Sequence, residues 1–277
     1  MKNSTVKKSF FILGVLVIFL IWIIGEVIIK NSYIVPSLDD TFITLIKLLT
    51  TRHTYKVLGY TLLRLVVSVV LCFVLGTILA VLSYKFYQFK YFIKPLITLF
   101  KTLPIAVVII LLIVMLDKEL APYYIVGVVV LPVVYEALLI GLENINGDIL
   151  NEVKMVSGLS TSVVFKVHIP LISPSILTAL IQSIGLGLKV LVMAEYISQP
   201  RYSIGNEFVY YKDIALQMEY LYAWSIILIA FVLAVEILIS YLSKRTNLVE
   251  WQDFFFIVSA LFDIINIINY KYWKNMK

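Results

Sequence analysis

The hydrophobic positions of this chain fall in long unbroken blocks, and neither a strict alternation nor a one-sided stripe describes them. Blocks of about 20 residues, the length a helix needs to cross a bilayer, run at Phe10–Ile29, Tyr60–Tyr84, Pro95–Leu116, Leu120–Leu142, Ser175–Ser198 and Tyr220–Ser243. In hydrocarbon the backbone N–H and C=O groups must be satisfied within the segment, so each block is expected to be a helix. The pattern predicts an all-α membrane protein with six transmembrane helices. The first block is read as an uncleaved span, because it ends Gly25-Glu26-Val27-Ile28-Ile29-Lys30 and offers no small-x-small cleavage site.

The stretches between blocks carry their own signals. Residues 33–58 read as an outer surface helix that begins after Pro36, with Ser37, Asp39 and Asp40 as first-turn groups. Residues 143–174 form the longest inside loop and predict short helices lying along the membrane surface. Gly147 and Gly158 are its natural breaks, and Pro170 and Pro174 precede the fifth block. Residues 1–252 read as one six-span domain, with the first span at 10–29 and a core at 56–250, since no internal repeat or linker divides them. The tail 253–277 is atypical. Its apolar run Phe254–Phe262 is too short to span, and an interfacial helix and a poorly packed end both remain open for it.

Composition agrees with the pattern. Hydrophobic side chains make up 61% of the 277 residues and charged ones only 14%, against about 25% charged in soluble domains. The net charge of +6 tempts a nucleic-acid reading, but its distribution explains it. With the N-terminus in the cytoplasm, thirteen lysines and arginines stand against six acids on the inner side, and seven against seven on the outer side. That is the bias that orients membrane proteins, and it leaves no nucleic-acid partner to invoke. The one cysteine, Cys72, cannot form an intrachain disulfide and reads as a packed thiol.

Candidate chemistry is sparse. No Gly-Lys dipeptide occurs, so the chain has no phosphate-cradling P-loop, and energy must come from a partner or an ion gradient. His53 and His168 lack nearby acidic or thiol partners, so no metal site is arguable. Two histidines and one cysteine in unrelated places supply no nucleophile–base set, and the chain is not read as an enzyme. The intramembrane charges are Arg64, Lys101 and Lys189 against Glu26, Glu136, Glu195 and Glu236. Near equality favours pairing, because an unpaired charge at a helix centre costs about 2.5–3.5 kcal/mol even on gentle scales. Lys189 and Glu195, six residues apart, cannot face each other on one helix, so each is expected to meet another span. Arg64 lies near an outer end and can snorkel. Lys101 and Glu136 either line a translocation path or form a structural pair between spans. Gly185 and Gly187, with Ser183, suggest a close helix contact near a dimer axis.

The inside loop reads Glu152-Val-Lys-Met-Val-Ser157-Gly158, then eleven residues to Pro170, with Ile169 before it. This resembles the cytoplasmic coupling loop of bacterial ABC importer permeases: a glutamate, a glycine six residues on, then an apolar residue and proline. Val153 and Lys154 stand where that family has a small pair, and the glycine-to-proline interval is one residue short. Further matches follow in family order and spacing: Ile34-Val-Pro-Ser, Thr61-Leu-Leu-Arg64, Lys101-Thr-Leu-Pro104, Gly141-Leu142, Lys189 to Glu195, and Ala223-Trp224. Over residues 33–251 the chain is similar to the nitrate/sulfonate/taurine-type permeases, which also include thiamine-precursor transporters.

The resemblance implies a multi-pass protein of the bacterial plasma membrane that works as a dimer of permease chains, expected to be identical. Two cytoplasmic P-loop ATPase subunits hold the ATP, and an external binding protein delivers a small solute. Glu152, Ser157, Gly158, Ile169 and Pro170 would then form the ATPase-coupling segment. Gly158 allows a tight turn between two docking helices, and Pro170 ends the second of them. The rival reading is a gradient-driven secondary transporter, which predicts internal repeats and discontinuous spans. A cysteine at Ser203 is expected to be reachable from outside, and one at Ser160 is not.

Overall fold

The computed structural model describes residues 2–145 and 169–245. Among them every regular element is helical: α1 (Lys2–Ile29), α2 (Leu38–Thr50), α3 (Arg52–Lys85), α4 (Tyr87–Thr102), α5 (Ile105–Met115), α6 (Ala121–Glu143), α7 (Ile169–Ser198), α8 (Ile204–Val209) and α9 (Met218–Arg245), with a π-helical turn at Tyr210–Ile214. Among the described residues four segments are long and apolar enough to cross a membrane: Arg52–Lys85, Ala121–Glu143, Leu171–Ser198 and Met218–Val235. α1 holds the first expected span as one helix, with Leu20–Ile29 as its described apolar segment.

The third expected span, Pro95–Leu116, is not one helix. α4 and α5 meet at 101°. Leu103 takes extended backbone (φ −63°, ψ 129°), the conformation that a following proline imposes. Pro104 caps α5, its carbonyl accepting from Val107 and Val108. The fifth expected span, Ser175–Ser198, lies within α7, which also holds Pro174 inside, where the missing N–H costs the helix one hydrogen bond.

The described residues fall into two compact units, 2–63 with 192–232, and 64–145 and 169–191 with 233–245. In the first unit α2 starts where the sequence places it. Ser37 Oγ accepts the Asp40 N–H at 3.1 Å and donates to the Asp40 carboxylate at 2.6 Å, satisfying one free donor of the first turn. The outer helix is shorter than 33–58, however. A break at Thr51 ends α2, and residues from Arg52 onward belong to α3. Leu48, Val57, Ile204, Ala223, Trp224 and Ile227 form the buried core here. Trp22 Nε1 donates to the Pro36 carbonyl at 3.1 Å, and its ring lies 5.1 Å from Tyr222, which ties α1 into this core.

In the second unit α6 packs against both α4 and α5. It buries Val126, Val130, Val134, Leu138 and Leu142, a four-residue spacing that keeps one helix face inward. Gly76 seats Val134 of this row. A Cβ there would stand 2.7 Å from the valine methyl. Gly187 of α7 packs on Leu65, Val126 and Val130, while nothing lies within 4 Å of a Cβ at Gly185. Within the chain, Gly187 makes a helix contact and Gly185 borders open space. Cys72 is buried, as expected of a packed thiol.

Candidate functional site

One ion pair of the second unit forms where α4 ends. The extended residue before Pro104 stops the helix one residue after Lys101, so this ammonium sits in the last turn at a helix C-terminus, the favourable end for a cation. Lys101 Nζ donates to both oxygens of Glu136 on α6, at 2.9 and 2.7 Å. The pair is not sealed. Its side chains are 49% and 39% exposed, and both border a cavity of about 540 Å³ with Ala137, Ile140, Ser175, Thr178 and Gln182. Apolar side chains (Val133, Ala137, Ile140, Pro174) and uncharged polar ones (Ser175, Thr178, Gln182) line the rest of this cavity.

The Arg64 side chain is 4% exposed and reaches Glu119, itself 40% exposed, at 3.4 Å. Lys90 on α4 also pairs with Glu143 at the end of α6, at 2.5 Å. A second cavity of about 560 Å³, lined by Val67, Ser68, Cys72, Tyr124 and Leu131 among others, is mostly apolar.

In the first unit Glu195 is fully buried, and Thr61 on α3 donates its hydroxyl to the two carboxylate oxygens at 3.1 and 3.0 Å. Thr61 Oγ1 also accepts the Ile204 N–H at 3.4 Å, placing α8 against this point. Gly205 then lies so close to the Glu195–Tyr196 backbone that no Cβ fits. Glu195 thus meets another span, as expected. Lys189 is exposed on α7 and joins no ion pair among the described residues.

His53 gains a partner that sequence reading misses: its Nε2 lies 2.8 Å from Glu207 Oε1. Beside it Tyr202 stacks on Tyr60 at 5.5 Å and receives the Lys56 ammonium 3.6 Å from its ring centre. The Lys56 contact lowers the Tyr202 phenol below its ordinary value, whereas a hydrogen bond to Tyr196 raises Lys212. Tyr211, stacked on Tyr220 at 4.5 Å, is pushed up to about 12, by burial first and by the nearby Glu207 second.

Of the expected coupling segment, Glu152, Ser157 and Gly158 lie outside the described residues, and Ile169 and Pro170 are the first described residues of α7. Among the described residues no three His, Cys, Asp or Glu side chains gather as a metal site.

A family model for the inner membrane component of binding-protein-dependent transport systems matches residues 72–248. The chain belongs to this family. No curated protein matches the sequence. The permease component so identified is a multi-pass membrane protein of a transport system that includes a binding protein and an ATPase. The matched region takes in Lys101, Glu136, Lys189, Glu195 and the whole of 143–174, and it leaves Thr61 and Arg64 outside. The broken α4–α5 span is one mark expected of a gradient-driven carrier, yet it too falls within the permease match.

Proposed function

We propose that the chain is the permease subunit of an ATP-driven importer that moves a small solute inward after delivery by an external binding protein. The observation that carries this is the family match across residues 72–248, which contains Glu152, Gly158, Ile169 and Pro170 in the order of a coupling loop. Residues 148–170 would dock on cytoplasmic ATPase subunits and pass their closure to the spans. By resemblance, two copies of this chain form the pathway, and the solute is a sulfonate, a nitrate-like anion or a thiamine-precursor pyrimidine. No residue of this chain has a part in hydrolysing ATP in this reading.

The test is extraction of tagged protein in mild detergent, mass spectrometry of what co-purifies, and uptake by Gly158→Asp. A stoichiometric P-loop ATPase, and a Gly158→Asp variant that stays in the membrane but takes up nothing, are the expected results. A partnerless protein that still transports would move the assignment to a gradient-driven carrier, a reading the broken α4–α5 span also suits.

A further inference from the structure

We infer that the corner between α3 and α4 binds an anionic phospholipid, with the phosphate held at Lys94 and Lys85 and one acyl chain laid along α4. The inference concerns the membrane around the protein and goes beyond the transport reading above. No Asp or Glu occurs between Asp40 and Asp117, so any acid that serves this corner comes from another element. Glu143 of α6 serves Lys90 at 2.5 Å, and Glu136 serves Lys101. Lys85 and Lys94 are exposed and join no ion pair among the described residues. Around them Tyr84, Phe86, Tyr87, Tyr91 and Phe92 are all exposed as well. Lysines whose stems lie on apolar surface, set among aromatic rings, are the composition that suits the boundary between hydrocarbon and headgroups.

The face of α4 around Lys94 decides where the chain goes. Tyr91, Lys94, Pro95, Thr98, Leu99 and Thr102 recur at helical spacing and line a mostly apolar cavity of about 490 Å³. Ile93 and Ile97 turn the other way and are buried. Thr98 and Thr102 donate their hydroxyl protons to carbonyls of their own helix, those of Lys94 at 2.9 Å and Thr98 at 3.0 Å. Neither then offers a proton to a ligand, and the groove suits a hydrocarbon chain. From Tyr91 to Thr102 it rises about 16 Å, the depth of one leaflet in a hydrocarbon layer of roughly 30 Å. Charge selects the headgroup. An ethanolamine or choline finds no acid on α3, α4 or α5, whereas phosphatidylglycerol brings the net negative charge that two unpaired lysines attract. A second copy of this chain docked by the same face would set these lysines against their like, so the occupant is a lipid.

The test is fluorescence quenching of the full chain in vesicles of phosphatidylglycerol and phosphatidylcholine in equal parts, with the acyl chains of one lipid or the other brominated. The reporter is Leu99→Trp in the groove, or Thr98→Trp should the first fail to fold. Val114→Trp, exposed on α5, is the reference, and the emission of the parent protein is subtracted. Relative to this reference, quenching at Leu99→Trp is expected to favour phosphatidylglycerol by at least about fivefold, the factor one lysine near an anionic headgroup supplies. Lys94→Ala is expected to remove most of this preference, Lys85→Ala a part of it, and Lys94→Arg none. Quenching by neither lipid at both groove positions would show the face covered by another protein chain and would overturn the inference. So would equal quenching by the two lipids, or a preference that survives Lys85→Ala and Lys94→Ala together. The ATPase co-purification reports separately on the transport reading, so a present ATPase with unselective quenching defeats this site alone.

Discussion

Thr61 stands over the carboxylate of Glu195 with its hydroxyl 3.1 and 3.0 Å from the two oxygens, and neither residue has any exposed surface. Two spans are thereby joined through a polar contact in an otherwise apolar packing. Thr61→Val keeps the shape and removes the hydrogen bond. Bonds to carboxylates run to about 1.5–3 kcal/mol in soluble proteins, but between membrane helices measured couplings reach only about 1.7 kcal/mol. The expected loss is therefore about 1–2 kcal/mol, read from thermal or denaturant unfolding in detergent. Thr61→Ser should retain most of it. A valine variant as stable as the parent would remove the contact from the account of the fold.

Gly205→Ala is expected to be far more damaging than its size suggests. Its Cβ would enter the backbone of Glu195 and Tyr196, which cannot rotate away as a side chain can, so the expected cost is about 3 kcal/mol or more. Gly185→Ala meets nothing within 4 Å and should change stability by no more than about 1 kcal/mol. Expression level and unfolding midpoint of the two variants, measured together, check the contrast.

The α4–α5 bend should respond to its proline. Spin labels at Leu96 and Ile110, in a Cys72→Ser background, span 14 residues, which a straight helix would stretch to about 21 Å. With the 101° bend the same span is about 13 Å. Pro104→Ala restores the N–H and frees Leu103 for helical backbone, and the distance is expected to lengthen towards the straight value. Identical distances in both proteins would assign the bend to packing against α6.

Tyr211 predicts a loss of stability in alkali. Its folded value of about 12 lies above the ordinary 10.0 because burial disfavours the phenolate. The fold thus prefers the protonated ring. Stabilisation is complete below about pH 10, where the unfolded phenol is also protonated, and is lost as pH rises through about 12. Tyr211→Phe should flatten this part of the profile, measured as unfolding midpoint between those limits.

Orientation is tested by cysteine accessibility, with one change of position. Ser203 is the natural outer site from sequence, but it is fully buried, capping α8 by accepting the Asn206 N–H and donating to the Pro200 carbonyl. Asp213, 53% exposed, serves better. An impermeant reagent added outside intact cells should modify Asp213→Cys and leave Ser160→Cys untouched. The opposite result would invert the assignment of inside and outside.

How much of this is legible in the sequence depends on range. The apolar helices are, because a 20-residue block states its own solvent. The start of α2 is too, since Ser37 and Asp40 interact within one turn. Pro104 stands out in the sequence as part of a family motif, while its local signal, the constraint on Leu103, is easily missed inside an apolar block. Pairings are harder. Lys101 and Glu136 are expected to pair or to line a path, and they do pair, across 35 positions. Arg64 gives no hint of Glu119, an acid that the chain pattern assigns to an outer loop, and His53 gives none of Glu207, because 154 positions separate them. Hydropathy places helices in the membrane, but rotation about each axis decides which charges meet, and that is settled by packing.

The short second limb of the broken span bears on how the protein is made. Ile105–Met115 has 11 residues and reaches only about 16 Å, half of the roughly 30 Å hydrocarbon layer. Such a segment cannot settle in the bilayer as an independent span. It must be held by α6, which contacts it and follows it after the short link Leu116–Leu120. Insertion of this region is therefore expected to proceed as a hairpin, with α5 retained only once α6 has left the ribosome.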